Sequence, residues 1–200
     1  MNNSKFSFDR NSYRSDVNYT DYYWFKEGFS PSELELIESM TTKLPFVVAH
    51  TGQDASSGVS EYRKSQIKWC PQNSEWDWVY NKLHNMIVEA NNTMWKLDLS
   101  TMNEEIQYTE YYEGGGHYDW HMDCGTAIQN QRKISVTVQL SAPDDYEGGD
   151  LEFNIGRRLT AQRHQGAAVI FPSFYLHRVT PVTKGTRKSF VLWVGGEPYR

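Results

Sequence analysis

Near residue 104 the hydrophobic period of this chain changes from a helical repeat to strict alternation, and that change constrains the fold more than any other feature. Ile134, Val136, Val138 and Leu140 alternate with Ser135, Thr137, Gln139 and Ser141, and Ile106, Tyr108 and Tyr112 also alternate with polar neighbours. Alternation of this kind specifies strands with two unlike faces. Further short strands are predicted near residues 150–153, 158–162, 167–171, 176–182 and 187–194. Turn signals separate them: Gly114-Gly115-Gly116, Pro143-Asp144-Asp145, Gly148-Gly149, Asn154-Ile155-Gly156, Gln165-Gly166 and Lys184-Gly185. Closely spaced strands with such punctuation close into a sandwich or barrel.

The half before this point reads as helical. Ser30-Pro31-Ser32-Glu33 has the form of a capping box with proline in the first turn, and Leu36, Ile37, Met40 and Leu44 follow at helical spacing. A second start at Ser74-Glu75-Trp76-Asp77 precedes Trp76, Val79, Tyr80, Leu83, Ile87, Ala90 and Met94, one apolar face of about five turns. A strand is expected within residues 59–69. Residues 1–30 read as a polar arm, and residues 31–200 as a single domain with its β core at about 104–196.

Aliphatic residues are sparse, but aromatic residues make up 14% of the 200, enough large rings to build a core. The net charge of −5 and the lack of any Lys/Arg block argue against a nucleic-acid partner held by phosphate contacts. No apolar run is long enough to cross a bilayer, and MNNSKFSFDR has no secretory hydrophobic region, so neither a membrane partner nor export is expected. Cys70 and Cys124 are the only cysteines and form no CxxC pair, consistent with a reduced, cytoplasmic chain.

The segment Tyr112-Glu113-Gly114-Gly115-Gly116-His117-Tyr118-Asp119-Trp120-His121-Met122-Asp123 carries the chemistry. If residues 118–123 are extended, His121 and Asp123 point to one face, giving an imidazole and a carboxylate two residues apart. Such tripeptides are common on surfaces, so the reading depends on a third ligand, and His177 is the best candidate. Two histidines and one carboxylate cover one face of an octahedron and leave three positions open, which suits non-haem Fe(II); zinc is also compatible with these donors. Ten residues on, Arg187 begins the last strand, with Ser189, Val191 and Trp193 on its face. A buried arginine beside a hydroxyl is a good receiver for a carboxylate. His117 and His121 have the spacing of helical zinc sites, but three preceding glycines disfavour a helix.

These residues carry a family resemblance. Tyr112-x-x-Gly115-x-x-Tyr118-x-x-His121-x-Asp123, then Glu147-Gly148-Gly149-Asp150-Leu151, then the run from His177 to Arg187, resemble the Fe(II)/2-oxoglutarate-dependent dioxygenases. The likeness is to the prolyl-4-hydroxylase-like branch that includes the PKHD-type hydroxylases, and it covers about residues 105–195. It implies a mainly β fold with flanking helices: a double-stranded β-helix (jelly roll, cupin-like) core with N-terminal support helices. It implies Fe(2+) bound by His121, Asp123 and His177, and 2-oxoglutarate bound by Arg187 with Tyr112, Ser189 and Gln139; ascorbate is admitted as an accessory. Tyr118, Trp120, Arg132 and Arg178 are expected to flank the mouth and contact substrate. The implied reaction is hydroxylation of an aliphatic C–H bond, of a prolyl residue in a peptide or protein, with release of succinate and CO2. The alternatives are the same chemistry on a free amino acid or other small molecule, and a non-catalytic metal-binding jelly roll.

Overall fold

The computed structural model describes Tyr19 and residues 21–48, 61–100 and 102–197. Most of the expected polar arm therefore lies outside the described residues, as do residues 59 and 60 of the strand expected within 59–69. Helix α1 (Pro31–Thr42) begins at the predicted box: the Glu33 amide donates to Ser30 Oγ and the Ser30 amide to the Glu33 carboxylate. Helix α2 (Asp77–Met94) starts differently from expectation. Trp76 is its N-cap without a side-chain bond, and the preceding turn is held by Asn73 Oδ1, which accepts from the Glu75 and Trp76 amides.

Among the described residues there are twelve strands. They are β1 (Tyr23–Phe25), β2 (Val47–Val48), β3 (Arg63–Lys64), β4 (Gln66–Cys70), β5 (Ile106–Tyr112), β6 (Gly116–His121), β7 (Arg132–Gln139), β8 (Tyr146–Gly148), β9 (Leu151–Asn154), β10 (Arg158–Thr160), β11 (Ala168–Pro172) and β12 (His177–Gly195). The larger sheet runs β1-β11-β7-β12-β5-β4-β2, antiparallel throughout. Its β1 comes from within the segment that composition assigns to the arm. The smaller sheet faces it. There the first half of β12 lies between β6 on one side and β8 and β9 on the other, with β3 beyond β6 and β10 beyond β9.

Strand β12 belongs to both sheets and corrects the expectation of two strands split at Lys184-Gly185. Gly185 has φ +71, and a Cβ there would lie 2.0 Å from the Asp145 carbonyl oxygen. The glycine thus marks a close approach to a neighbouring chain, and pairing continues through it: β8 engages residues up to Gly185 and β5 takes over from Thr186. Two opposed antiparallel sheets sharing a strand give the jelly-roll core that the resemblance implies, within the sandwich or barrel class that the alternation predicts.

The helices cover the outer face of the larger sheet. Ile37, Met40, Val79, Leu83 and Ile87 pack with Tyr108, Val136, Val138, Phe190 and Leu192. The opposite parity of the same strands, including Ser135, Thr137, Gln139 and Ser189, is also buried but faces the interior between the sheets. Burying hydroxyls and amides is costly unless they are partnered, so this polar inner wall marks where a polar ligand belongs.

Candidate metal centre

An open cavity of about 690 Å³ enters between the two sheets, and His121, Asp123, His177, Arg187 and Ser189 all contribute to its wall. His121 is the last residue of β6, Asp123 lies just beyond it, and His177 opens β12 directly opposite His121 in register. One ligand atom from each of the three lies within 4.8 Å of the others. Asp123 Oδ1 is 3.6 Å from His121 Nε2, and Oδ2 is 3.5 Å from His177 Nε2.

Both imidazoles are set in the same way. Nδ1 of His121 lies 2.7 Å from the Asp119 carbonyl oxygen, and Nδ1 of His177 lies 2.9 Å from that of Tyr175. A carbonyl can only accept, so each Nδ1 carries the proton and each Nε2 offers its lone pair to the centre. Burial pushes His177 down to about 4, keeping it neutral at physiological pH, although Asp123 opposes the shift. Burial alone would raise the Asp123 carboxyl, and the hydrogen bond donated by the Ser135 hydroxyl pulls it back toward the ionised form. The Ser135 hydroxyl donates to Asp123 Oδ2 at 2.6 Å, and its oxygen lies 3.0 Å from that of Ser173. Two imidazoles presenting Nε2 and one carboxylate, arranged on one side of an open cavity, fit Fe(II) with positions left for other ligands.

The second half of the site is Arg187. It is 1% exposed; Nη1 donates to Ser189 Oγ at 3.3 Å, Nη2 donates to Gln139 Oε1 at 3.0 Å, and the guanidinium lies over the Tyr111 ring at 5.5 Å. Its Nε has no partner, and among the described residues no carboxylate pairs with it. A buried cation without a counter-charge costs several kcal/mol, roughly, so this pocket is built for an anion. Gly149 keeps it open: with φ +64, a Cβ there would stand 3.1 Å from Arg187 Cδ.

Other predicted site residues divide into two groups. Ser189 and Gln139 are brought to Arg187. Tyr118 lines the cavity and stacks on His121, with ring centroids 3.5 Å apart, and Arg132 also lines it. Burial pushes the Tyr118 phenol up to about 12, against the pull of Arg63. A register shift between the His177 and Val179 pairings lets Tyr118 and His121, three residues apart, face the same side. Tyr112, Trp120 and Arg178 are not brought to the cavity. Tyr112 is one residue out of phase, and its hydroxyl bonds Glu110 and Gln66 on the helix side of β5. Arg178 follows His177 on β12 and so points away, where it pairs with Glu152 at 2.7 Å and lies 4.7 Å over the Trp120 ring.

The structure adds Tyr111, which faces Arg187 in the β5–β12 register. It also adds Arg63, whose guanidinium covers the Tyr118 ring at 4.7 Å and donates to Gln107 Oε1 at 2.7 Å. Only the β5–β12 register sets Tyr111 apart from its neighbour Tyr112. No local signal marks Arg63, because only the β3–β6 pairing brings it to the site. Both cysteines are free, with Cys70 buried and Cys124 half-buried.

Residues 106–195, which carry the triad and Arg187, match the 2OG-Fe(II) oxygenase superfamily. The chain is similar to a PKHD-type hydroxylase of Delftia acidovorans, 43% identical over 90 residues, covering 41% of this chain and 39% of the relative. A PKHD-type hydroxylase of Colwellia psychrerythraea is 40% identical over 84 residues, covering 40% and 38%. The match thus spans about two fifths of these relatives' length. Among solved structures, a prolyl hydroxylase from Trichoplax adhaerens, in complex with a hypoxia inducible factor oxygen degradation domain peptide fragment, aligns with a TM-score of 0.72 at 15% identity, over 88% of this chain and 83% of that one. A Pseudomonas putida prolyl-4-hydroxylase aligns with a TM-score of 0.64 at 20% identity, over 88% and 92%. These structural likenesses establish the jelly-roll fold. The family's description supplies Fe(II) and 2-oxoglutarate as its cofactor pair, and the triad and the buried arginine fit both.

Proposed function

We propose that this chain is an Fe(II)- and 2-oxoglutarate-dependent dioxygenase that hydroxylates an aliphatic C–H bond of a prolyl residue in a peptide or protein. The observation that carries this reading is Arg187, a buried guanidinium without a carboxylate in the same cavity as a His-Asp-His triad. His121, Asp123 and His177 would hold the iron, with Ser135 fixing the carboxylate and the Asp119 and Tyr175 carbonyls fixing the imidazole tautomers. Arg187, Ser189, Gln139 and Tyr111 would hold the far carboxylate of 2-oxoglutarate, a charge-assisted, two-pronged contact. Bound Fe(II) with 2-oxoglutarate and oxygen would supply the oxidising chemistry, releasing succinate and CO2. The protein would contribute orientation and exclusion of water.

A peptide substrate is supported by the open mouth, whose wall includes the half-exposed aromatic rings of Tyr62 and Trp69. It is also supported by the structural relatives, one of which is described in complex with a peptide. Described helices include none long and apolar enough to cross a membrane. The site within residues 31–200 is proposed as one domain acting in the cytoplasm.

An anaerobic titration of the Fe(II)-loaded protein with 2-oxoglutarate tests the cofactor pair. A visible charge-transfer band is expected, and its loss is expected in Arg187→Ala and His177→Ala. Bound iron without any band would refute the cosubstrate assignment. Incubation with proline-containing peptides, read by mass spectrometry, should then show gain of one oxygen on proline. Conversion of free amino acids alone would replace the peptide reading.

A further inference from the structure

We propose that Arg132 is a positioning residue for the Asp123 ligand, fixing the main chain of the ligand-bearing loop instead of receiving a charge from substrate. The inference rests on the metal-site reading above. Although Arg132 lines the cavity, each of its guanidinium nitrogens already has a protein partner. Nε donates to Glu104 Oε1 at 2.7 Å and Nη2 to Glu104 Oε2, a two-pronged pair whose side chains are only 11% and 20% exposed. Its face stacks on the Trp193 indole at 3.8 Å. The remaining nitrogen, Nη1, donates to the Asp123 carbonyl oxygen at 3.3 Å. A cation matched by a carboxylate in this way has little left with which to attract an anionic substrate.

Asp123 needs such support. Residues 122–126 belong to no strand, so sheet pairing does not orient the ligand. Three kinds of bond do so. The Asp123 and Cys124 amides donate to the Ser173 carbonyl at 2.9 and 3.2 Å, the Ser135 hydroxyl donates to the carboxylate, and Arg132 holds the carbonyl. Arg132 is itself a rigid anchor. It is the first residue of β7 and pairs with Gly195 of β12, while Glu104 stands two residues before β5. The Glu104–Arg132 pair therefore transfers the rigidity of two strand entrances to a loop that carries a metal ligand. Groups that orient ligands from outside the coordination sphere typically change metal affinity by about 10- to 100-fold when removed.

Co(II) titration of the 200-residue chain, followed by visible absorption, tests this with a metal alone. Arg132→Met and Glu104→Gln are each expected to weaken Co(II) binding by about tenfold or more and to alter the spectrum at saturation. The double variant should be little worse than either single one, because both remove one shared device. Circular dichroism and melting of the metal-free variants separate this from misfolding, and Glu104→Gln decides if Arg132→Met does not fold. Co(II) affinity within twofold of wild type and an unchanged spectrum in the folded variants would overturn the proposal. The same would follow if only the peptide KM rose, since Arg132 would then be a substrate contact. A wild-type chain whose Co(II) binding is indifferent to His177→Ala would overturn the metal-site reading along with it.

Discussion

Tyr111 and Tyr112 are adjacent and chemically alike, yet the strand assigns them to opposite worlds. Tyr111 is 3% exposed and lies beneath the Arg187 guanidinium, whereas the Tyr112 hydroxyl joins Glu110 and Gln66 on the helix side. A cation over an aromatic ring in a desolvated pocket contributes about 1–2 kcal/mol. Tyr111→Leu should therefore raise the 2-oxoglutarate requirement by about tenfold, while Tyr112→Phe leaves it unchanged; saturation curves for 2-oxoglutarate check both. Equal effects would mean that the side of β5 facing the cosubstrate is wrongly assigned. The sequence could not separate the two tyrosines, because β5 is covered by helices on one face and by the barrel interior on the other. Burial on both faces erases the contrast that makes parity readable. On β7 the contrast survives, since one face is aliphatic and the other hydroxyl and amide, so the alternation separated the two faces and the packing of the helices on the aliphatic one shows which is the inner wall. His121, Asp123 and His177 were legible for a different reason: a two-residue spacing puts an imidazole and a carboxylate on one face of an extended chain, and the motif from His177 to Arg187 offers the third ligand.

At the scale of elements, α1 shows local and tertiary signals reinforcing each other. Glu33 closes the capping box with Ser30, and both its oxygens lie 2.6 Å from Lys82 Nζ on α2. Burial pushes the Glu33 carboxyl up, but Lys82 and the Ser30 bonds outweigh this, and its pKa falls below the ordinary 4.5. A carboxylate with a lowered folded-state pKa stabilises fully above its unfolded value and loses that contribution as pH falls through the folded one. Glu33→Gln should thus lower the stability of the full chain by about 1 kcal/mol at pH 7, a few degrees in Tm. The gap should close as pH falls below about 4.5, which thermal melts across pH 3–7 would show; a gap independent of pH would assign the effect to packing. This start was readable because four consecutive residues contain it. The α2 start was less so, since Asn73, one residue outside the expected box, does the capping. The unbroken β12 could not be read locally at all. Lys184-Gly185 has turn chemistry, and only non-local pairing to β8 and β5 carries the strand through it.

The whole molecule is organised around that strand. Fully extended, the ten residues from His177 to Arg187 would span roughly 33 Å, yet both line one cavity. Register shifts between residues 179 and 182 and between 182 and 184, followed by the positive φ of Gly185, coil β12 from the smaller sheet into the larger. The fold thereby places a metal triad and a buried cation on one wall, at a cost to the ligand-free state: Arg187 is held in the interior without an anion. Replacing a buried, unmatched charge by an apolar side chain of similar length is commonly neutral or stabilising. Arg187→Met should accordingly melt at or above the wild-type temperature when ligand-free. Wild type with Mn(II) in place of iron and 2-oxoglutarate at about 100 times its Kd should gain about 2.7 kcal/mol, a rise of roughly 5–10 °C. The variant should show the metal's contribution but no added rise from 2-oxoglutarate. Scanning calorimetry of both chains, with and without each ligand, measures all of this. A ligand-free Arg187→Met that melts well below wild type would mean that Ser189 and Gln139 already satisfy the guanidinium, and the interior would then not be poised for an anion.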